Sequence, residues 1–293
     1  MEEVAADNEE ALEAWDGVLF DRFVKFKEIV TEGLGAHGEA ALAAHPPRTG
    51  DRALDIGCGF GDTSLRIAEI VGDSGSVLGV DVAPRFIETA QKGAEGAGAD
   101  NVSFAVRDVQ VTEFENGFDY AFARFGTMFF ANPVAAMRNV RKALVPDGRL
   151  TMVVWRRKLD NDWLHRAETV VEEFVEEPEE TDEPTCGPGP FSMASADTTS
   201  DILLNAGFSE IGLRRCDIPI LIGRDLDHAV EFVTALGPAG EVIRLAGDEA
   251  EKIRPRIEAA LREALAEFEA PNGVVASAST WIVSAKAPAN ISA

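Results

Sequence analysis

Residues 54–61 read Leu54-Asp55-Ile56-Gly57-Cys58-Gly59-Phe60-Gly61, with three glycines at alternate positions. No other stretch of the chain limits its fold as tightly. A loop of this kind turns sharply out of a strand into a helix and brings bare backbone against a ligand. The flanks agree: Arg52–Gly57 reads as a strand, and Asp62–Val71 as a helix with Asp62 or Thr63 at its N-cap. The same alternation continues downstream. Strands are expected at Ser76–Val82, Val102–Val106, Phe118–Ala123 and Leu150–Trp155, with helices at Pro84–Gly96 and Asn132–Leu144. Val145-Pro146-Asp147-Gly148 supplies the turn before the fifth strand. Regular strand–helix alternation implies a parallel sheet with helices on both faces.

The rest of the 293 residues frames this core. Ala11, Trp15, Leu19, Phe23 and Phe26 recur at helical spacing, so residues 9–44 read as helix up to the break at His45-Pro46-Pro47. Beyond Trp155, residues 159–175 read as helix and residues 176–190, EEPEETDEPTCGPGP, as an acidic loop. Asp197–Ala206 and Leu226–Leu236 read as helices, Ile211–Ile222 as a strand, Ile253–Phe268 as an amphipathic helix and Gly273–Ala287 as a last strand. The expectation is an α/β fold: a Rossmann-like, doubly wound, mostly parallel seven-stranded sheet. Its divisions are an N-terminal helical cap (1–48), a ligand-binding core (49–158), a helical insertion carrying one core strand (159–270), and a final strand with tail (271–293).

Composition excludes several classes. With 27 basic and 51 acidic residues the net charge is -24, a surface that repels phosphate backbones, so no nucleic-acid partner is expected. The acidity serves solubility, in a salty cytoplasm for instance. No apolar run approaches the roughly 20 residues of a bilayer span, and MEEVAADNEE is the opposite of a basic-then-apolar leader. A cytoplasmic protein is expected, with no membrane partner. Cys58, Cys186 and Cys216 form no CxxC pair, so neither a disulfide framework nor a metal site is expected.

The loop's chemistry narrows the ligand. A dinucleotide fingerprint reads GxGxxG and cradles a pyrophosphate, whereas this loop reads DxGxGxG. Asp55 would repel a phosphate but suits a cation. That favours S-adenosylmethionine, which carries an ammonium and a sulfonium, over NAD. Asp81 follows at the end of the second strand, where an acid meets ribose hydroxyls. Asp108 follows the third strand, placed to accept from an adenine amino group unless it is held by Arg107.

These residues, with Phe118-Asp119-Tyr120-Ala121-Phe122, resemble the motifs of class I S-adenosylmethionine-dependent methyltransferases. A narrower resemblance is to the bacterial UbiE-like, type 11 group. It rests on Arg124-Phe125-Gly126-Thr127-Met128-Phe129-Phe130, Asn132-Pro133, Leu144–Leu150, Val154-Trp155-Arg156, Asn161-Asp162-Trp163, Gly187–Phe191 and Ala206-Gly207-Phe208. Asp147 stands where the group usually has glycine. The resemblance implies that Asp55, Gly57, Gly59 and Gly61 hold the methionine end, with Cys58 among them. It implies Asp81 and Val82 at the ribose, Asp108 and Val109 at the adenine, and Arg124 closing the site.

Methyl transfer is an in-line displacement that mainly needs alignment and exclusion of water. A general base is needed only where the acceptor must lose a proton. His165 is the first candidate, then His37 and His228, with Asp119 as an alternative. Phe125, Met128, Trp155 and Trp163 are the candidate substrate contacts, Phe129 and Phe130 serving equally well as core. Trp15 and Phe20 could form a lid. The expected reaction moves a methyl group to an O, N or C acceptor on a small molecule. The alternatives are a non-catalytic scaffold of the same fold and a dehydrogenase, which needs the absent GxGxxG. A nucleic-acid or protein methyltransferase is opposed by the charge and by Ala123-Arg124-Phe125-Gly126 standing where an Asn/Asp-Pro-Pro-Tyr motif would be. Oligomeric state stays open, a homodimer being one option.

Overall fold

The computed structural model describes residues 4, 5, 8–175 and 189–289. Cys186, Gly187-Pro188 and nearly all of the expected acidic loop lie outside these residues. In chain order the main elements are α1 (Glu9–Ala14), α2 (Phe20–Lys25), α3 (Gly35–Ala44), β1 (Arg52–Ile56), α4 (Asp62–Val71), β2 (Ser76–Asp81), α5 (Pro84–Ala97), β3 (Val102–Val106), β4 (Phe118–Arg124), α6 (Pro133–Ala143), β5 (Leu144–Trp155), α7 (Asp162–Glu172), α8 (Ala196–Ala206), β6 (Ser209–Gly223), α9 (Leu226–Ala235), α10 (Pro238–Leu265), β7 (Glu269–Ala270) and β8 (Gly273–Lys286).

Local chemistry sets several of the boundaries. Pro84 and Pro133 open α5 and α6 in the first turn, where a missing N–H costs nothing. Asn132 Oδ1 accepts from Ala135 N at 3.0 Å, and Ser195 caps α8 in the same way. The inner strands are apolar throughout: Leu54, Ile56, Ala121, Ala123 and Met152 are fully buried, as a sheet covered on both faces requires.

The sheet order is β3-β2-β1-β4-β5-β8-β6, with the short β7 added beside β8. β1 to β5 run parallel, and β8 runs antiparallel between β5 and β6. The doubly wound, mostly parallel sheet expected from the sequence is therefore present, with a two-residue eighth strand. The winding reverses between β1 and β4. Ligands of open α/β sheets bind outside the carboxyl ends of the strands at such a point.

Three elements differ from expectation. Residues 9–44 are not one helix. Wide π turns at Trp15–Leu19 and Ile29–Gly33 separate α1, α2 and α3, and Gly17 leaves helical geometry altogether (φ −100°, ψ −116°). The segment α10 begins at Pro238, ahead of Ile253, but it is two helices meeting at a kink where Gly247 leaves helical geometry (φ +52°, ψ −130°). β5 begins at Leu144, because the turn ahead of it is itself tied into the sheet. Asp147 N donates to Ala287 O and Ala287 N to Gly148 O. Asp147 holds φ +61°, a conformation that favours glycine; aspartate is one of the few other residues to visit it.

Candidate cofactor and substrate site

The carboxyl ends of all five parallel strands open on one cavity of about 220 Å³. β1 delivers Asp55, whose side chain is 1% exposed, and the loop Gly57–Phe60. Gly57 holds φ +64°, and a Cβ there would stand 3.1 Å from Gly126 Cα, so the first and fourth strand-end loops touch backbone to backbone. Only glycine permits both the conformation and the approach. Cys58 N donates to Val80 O at 3.0 Å, pinning the loop to β2.

Asp81 organises the next wall. Its Oδ2 accepts from Gly59 N at 3.0 Å and its Oδ1 from Ala83 N at 3.1 Å. Burial pushes its carboxyl above the usual range, against these backbone donors. Asp55 is pushed further, up to about 7, chiefly by burial and in spite of Ser64 Oγ donating to it at 2.6 Å. Between these acids the Cys58 thiol is raised well above its ordinary value, first by burial and then by Asp81 and Asp55. A thiol so placed is a poor nucleophile.

Asp108 Oδ1 accepts from Gln110 N at 2.9 Å. Its Oδ2 accepts from Ala5 N at 3.0 Å and Asn8 Nδ2 at 3.1 Å, both from the N-terminal segment. Arg124 pairs with Asp62 at 2.7 Å and lies against α3, where Gly35 and Gly38 leave room for its side chain. Phe125 stacks on Trp155 at 4.7 Å between centroids. It does so from φ +59°, a strained backbone for an aromatic residue and one found mainly at functional sites. Met128, Phe129 and Phe130 continue this apolar end, and Trp15, Phe23, Val30 and Leu34 cover it from the N-terminal segment. Trp15 meets Phe129 edge to face at 4.9 Å.

Twelve of the expected site residues thus line one space: Asp55, Gly57, Cys58, Gly59, Asp81, Val82, Asp108, Val109, Arg124, Phe125, Met128 and Trp155. Three do not. Gly61 is a packing position: at φ +81°, a Cβ would fall 2.8 Å from Ala90 Cβ and 2.9 Å from Phe104 Cζ. Replacing Gly61 with valine is therefore expected to lower stability by about 2–4 kcal/mol in denaturant titration, through strain and overpacking together. Trp163 is 2% exposed and stacks on Phe232 in the core at 5.9 Å. His165 lies on α7 outside the cavity, with its Nδ1 buried and unpartnered.

The other proposed bases also fall elsewhere. Asp119 stands at the amino end of β4, accepting from Arg52 N at 2.8 Å, on the far side of the sheet from the cavity. His228 stacks on Phe26, and its Nδ1 accepts from Arg224 N. His37 is fully buried, 2.9 Å from Thr280 Oγ1 and edge-on to Phe125. Burial brings its pKa down to about 4, outweighing the charge of Asp217, so it is neutral at neutral pH. It supports the Phe125–Trp155 stack from behind. Asn8, Phe60, Asp62, Thr63 and Phe86 line the cavity without having been singled out for the site. The sequence reads Asp62 or Thr63 as the N-cap of α4, but the N-cap is Gly61, so both residues stand in the first turn of the helix beside the cavity. Among the described residues no group of His, Cys, Asp and Glu could hold a metal ion.

Residues 47–201 match a family described as a methyltransferase domain, which is more than half of the chain. The chain belongs to this methyltransferase family. It is 38% identical over 114 residues to aklanonic acid methyltransferase DauC of Streptomyces sp. (strain C5), covering 39% of this chain and 52% of that one. It is 30% identical over 146 residues to a 2-phytyl-1,4-naphtoquinone methyltransferase of Trichormus variabilis, covering 47% and 64%. The matched region thus spans less than two thirds of these curated relatives. Among solved structures, a chain from the complex of the Haloferax volcanii Trm112 methyltransferase activator with its methyltransferase shares the fold. That chain has a TM-score of 0.55 and 17% identity, over 97% of this chain and 99% of that one. The YcgJ protein of Bacillus subtilis has a TM-score of 0.54 and 17% identity, over 87% and 97%. No helix among the described residues is long and apolar enough to cross a membrane.

Proposed function

We propose that this protein transfers a methyl group from S-adenosylmethionine to an O, N or C acceptor on an apolar, aromatic small molecule. The observation that carries this reading is one cavity with two chemically distinct ends. At one end Asp55, Asp81 and Asp108 stand at three successive strand ends, and at the other Phe125, Met128, Phe129, Phe130 and Trp155 form an apolar chamber. The donor set suits the cofactor: carboxylates complement an ammonium, a ribose diol and an adenine amino group, and the Gly57 backbone leaves room for close approach. When bound, the cofactor supplies an activated methyl group on a sulfonium.

The chain's own part is to hold and align. Asp55 faces the cationic methionine end, Asp81 receives the ribose and Asp108 the adenine. Phe125 and Trp155 would lie beside the developing charge and keep water from it. Alignment of this kind supplies about 7–11 kcal/mol of a barrier. The aromatic chamber suits flat, apolar acceptors, as do the names of relatives that act on aklanonic acid and a naphthoquinone. Residues 49–158 and 271–293 serve as the cofactor half, residues 1–48 as its cap and 159–270 as an insertion.

Calorimetric titration with S-adenosylmethionine and with NAD tests the reading. We expect micromolar binding of the first and none of the second, followed by transfer of labelled methyl to a reduced 1,4-naphthoquinone. Binding of NAD alone overturns it.

A further inference from the structure

Asp108 is already occupied. Its Oδ2 accepts hydrogen bonds from Ala5 N at 3.0 Å and Asn8 Nδ2 at 3.1 Å, and its Oδ1 accepts from Gln110 N at 2.9 Å. A carboxylate offers about four lone-pair directions, so three are filled by the chain itself. Only the Gln110 contact is local. The other two come from more than a hundred residues away in sequence, and Asn8 lines the cavity.

Asn8 also forgoes its ordinary role. It is the N-cap residue of α1, where an asparagine side chain normally accepts from a backbone N–H of the first turn, yet it makes no such bond. Its amide is turned to Asp108 instead. Asn8 N donates to Ala5 O at 2.8 Å, so the two residues whose donors reach Asp108 are also tied to each other.

We propose that Asn8, with the backbone N–H of Ala5, is a specificity-determining residue of the cofactor site. It competes with the adenine amino group for Asp108. This rests on the reading of Asp108 as the adenine acceptor. The amino group gains Oδ2 of Asp108 in full only by displacing these two donors, and the released Asn8 side chain can then cap α1, which offsets part of the loss. Residue 8 therefore sets how much the amino group contributes to affinity. A ligand with a carbonyl at that position has no donor to offer there and leaves both contacts in place.

The test is a calorimetric comparison on the full chain with S-adenosylhomocysteine and S-inosylhomocysteine, which replaces the amino donor by a carbonyl and carries a proton on the adjacent ring nitrogen. Asn8→Ala should tighten the adenosyl ligand by about tenfold, the scale of one hydrogen bond to a charged group, and leave the inosyl ligand within about twofold. Ala5→Pro, which removes the second donor near the chain terminus, should act in the same direction. Equal shifts for both ligands, or unchanged or weaker adenosyl binding in both variants, overturn the proposal. Failure of the unaltered protein to bind either ligand counts against the cofactor reading itself, so the two failures are distinguishable.

Discussion

Replacing Asp81 with alanine is expected to lower affinity for S-adenosylmethionine by at least about a hundredfold, while the protein still folds. The carboxylate does two things at once. It holds Gly59 N and Ala83 N at 3.0 and 3.1 Å, and so fixes the glycine loop against the end of β2. On the proposed reading it would also offer its remaining lone pairs to the ribose. Alanine leaves two backbone donors without an acceptor, at about 1–3 kcal/mol for each one kept from water, and deletes the ribose contact. About 2.7 kcal/mol is enough for a hundredfold change. Asp81→Asn keeps the shape but turns an N–H₂ toward one of the donors, so an intermediate loss of about tenfold is expected. Calorimetry gives the affinities, and denaturant titration separates loss of binding from loss of fold. Affinity retained in Asp81→Ala would remove that residue from the site.

Much of this site was legible because its requirements are backbone requirements. Gly57 needs a left-handed conformation and a bare approach to Gly126, and no other residue type satisfies both, so the sequence displays the demand directly. Asp81 and Asp108 were legible through their place after successive strands. Gly61 shows the limit. It shares the glycine pattern, yet its absent side chain makes room for Ala90 and Phe104, not for a ligand.

Side chains on helices were harder to assign, because a face turned to a core and a face turned to a cavity carry the same residues. Trp163 on α7 packs on Phe232 in the core, whereas Trp155, fixed at the carboxyl end of β5, lines the site. Asn8 was illegible for another reason. Its partner is a hundred positions away, and an asparagine ahead of a helix reads as a cap. The break at Gly17 and the π turn Ile29–Gly33 were likewise hidden, since apolar spacing across a π turn still resembles that of a continuous helix.

The acid that opens the glycine loop carries the other large prediction, a pH dependence of cofactor binding. Asp55 has its pKa up to about 7 because it is buried; Ser64 and Arg124 pull it down, and Asp62 and Asp81 push it up. The sign follows. Below about 7 the carboxyl is predominantly neutral in the free protein and offers no charge to an ammonium. A bound cation favours the ionised form, so binding releases a proton and affinity rises with pH until Asp55 is ionised without help. Affinity for S-adenosylmethionine should therefore climb by up to about tenfold per pH unit between about 5.5 and 7, and then flatten. The released proton can be measured independently, as the dependence of the calorimetric heat on the ionisation enthalpy of the buffer. Asp55→Asn should abolish both the slope and the buffer dependence, holding affinity near the low-pH value of the unaltered protein. A flat profile in the unaltered protein, or a slope that survives in Asp55→Asn, would assign the titration to another group and leave Asp55 with a purely structural bond to Ser64.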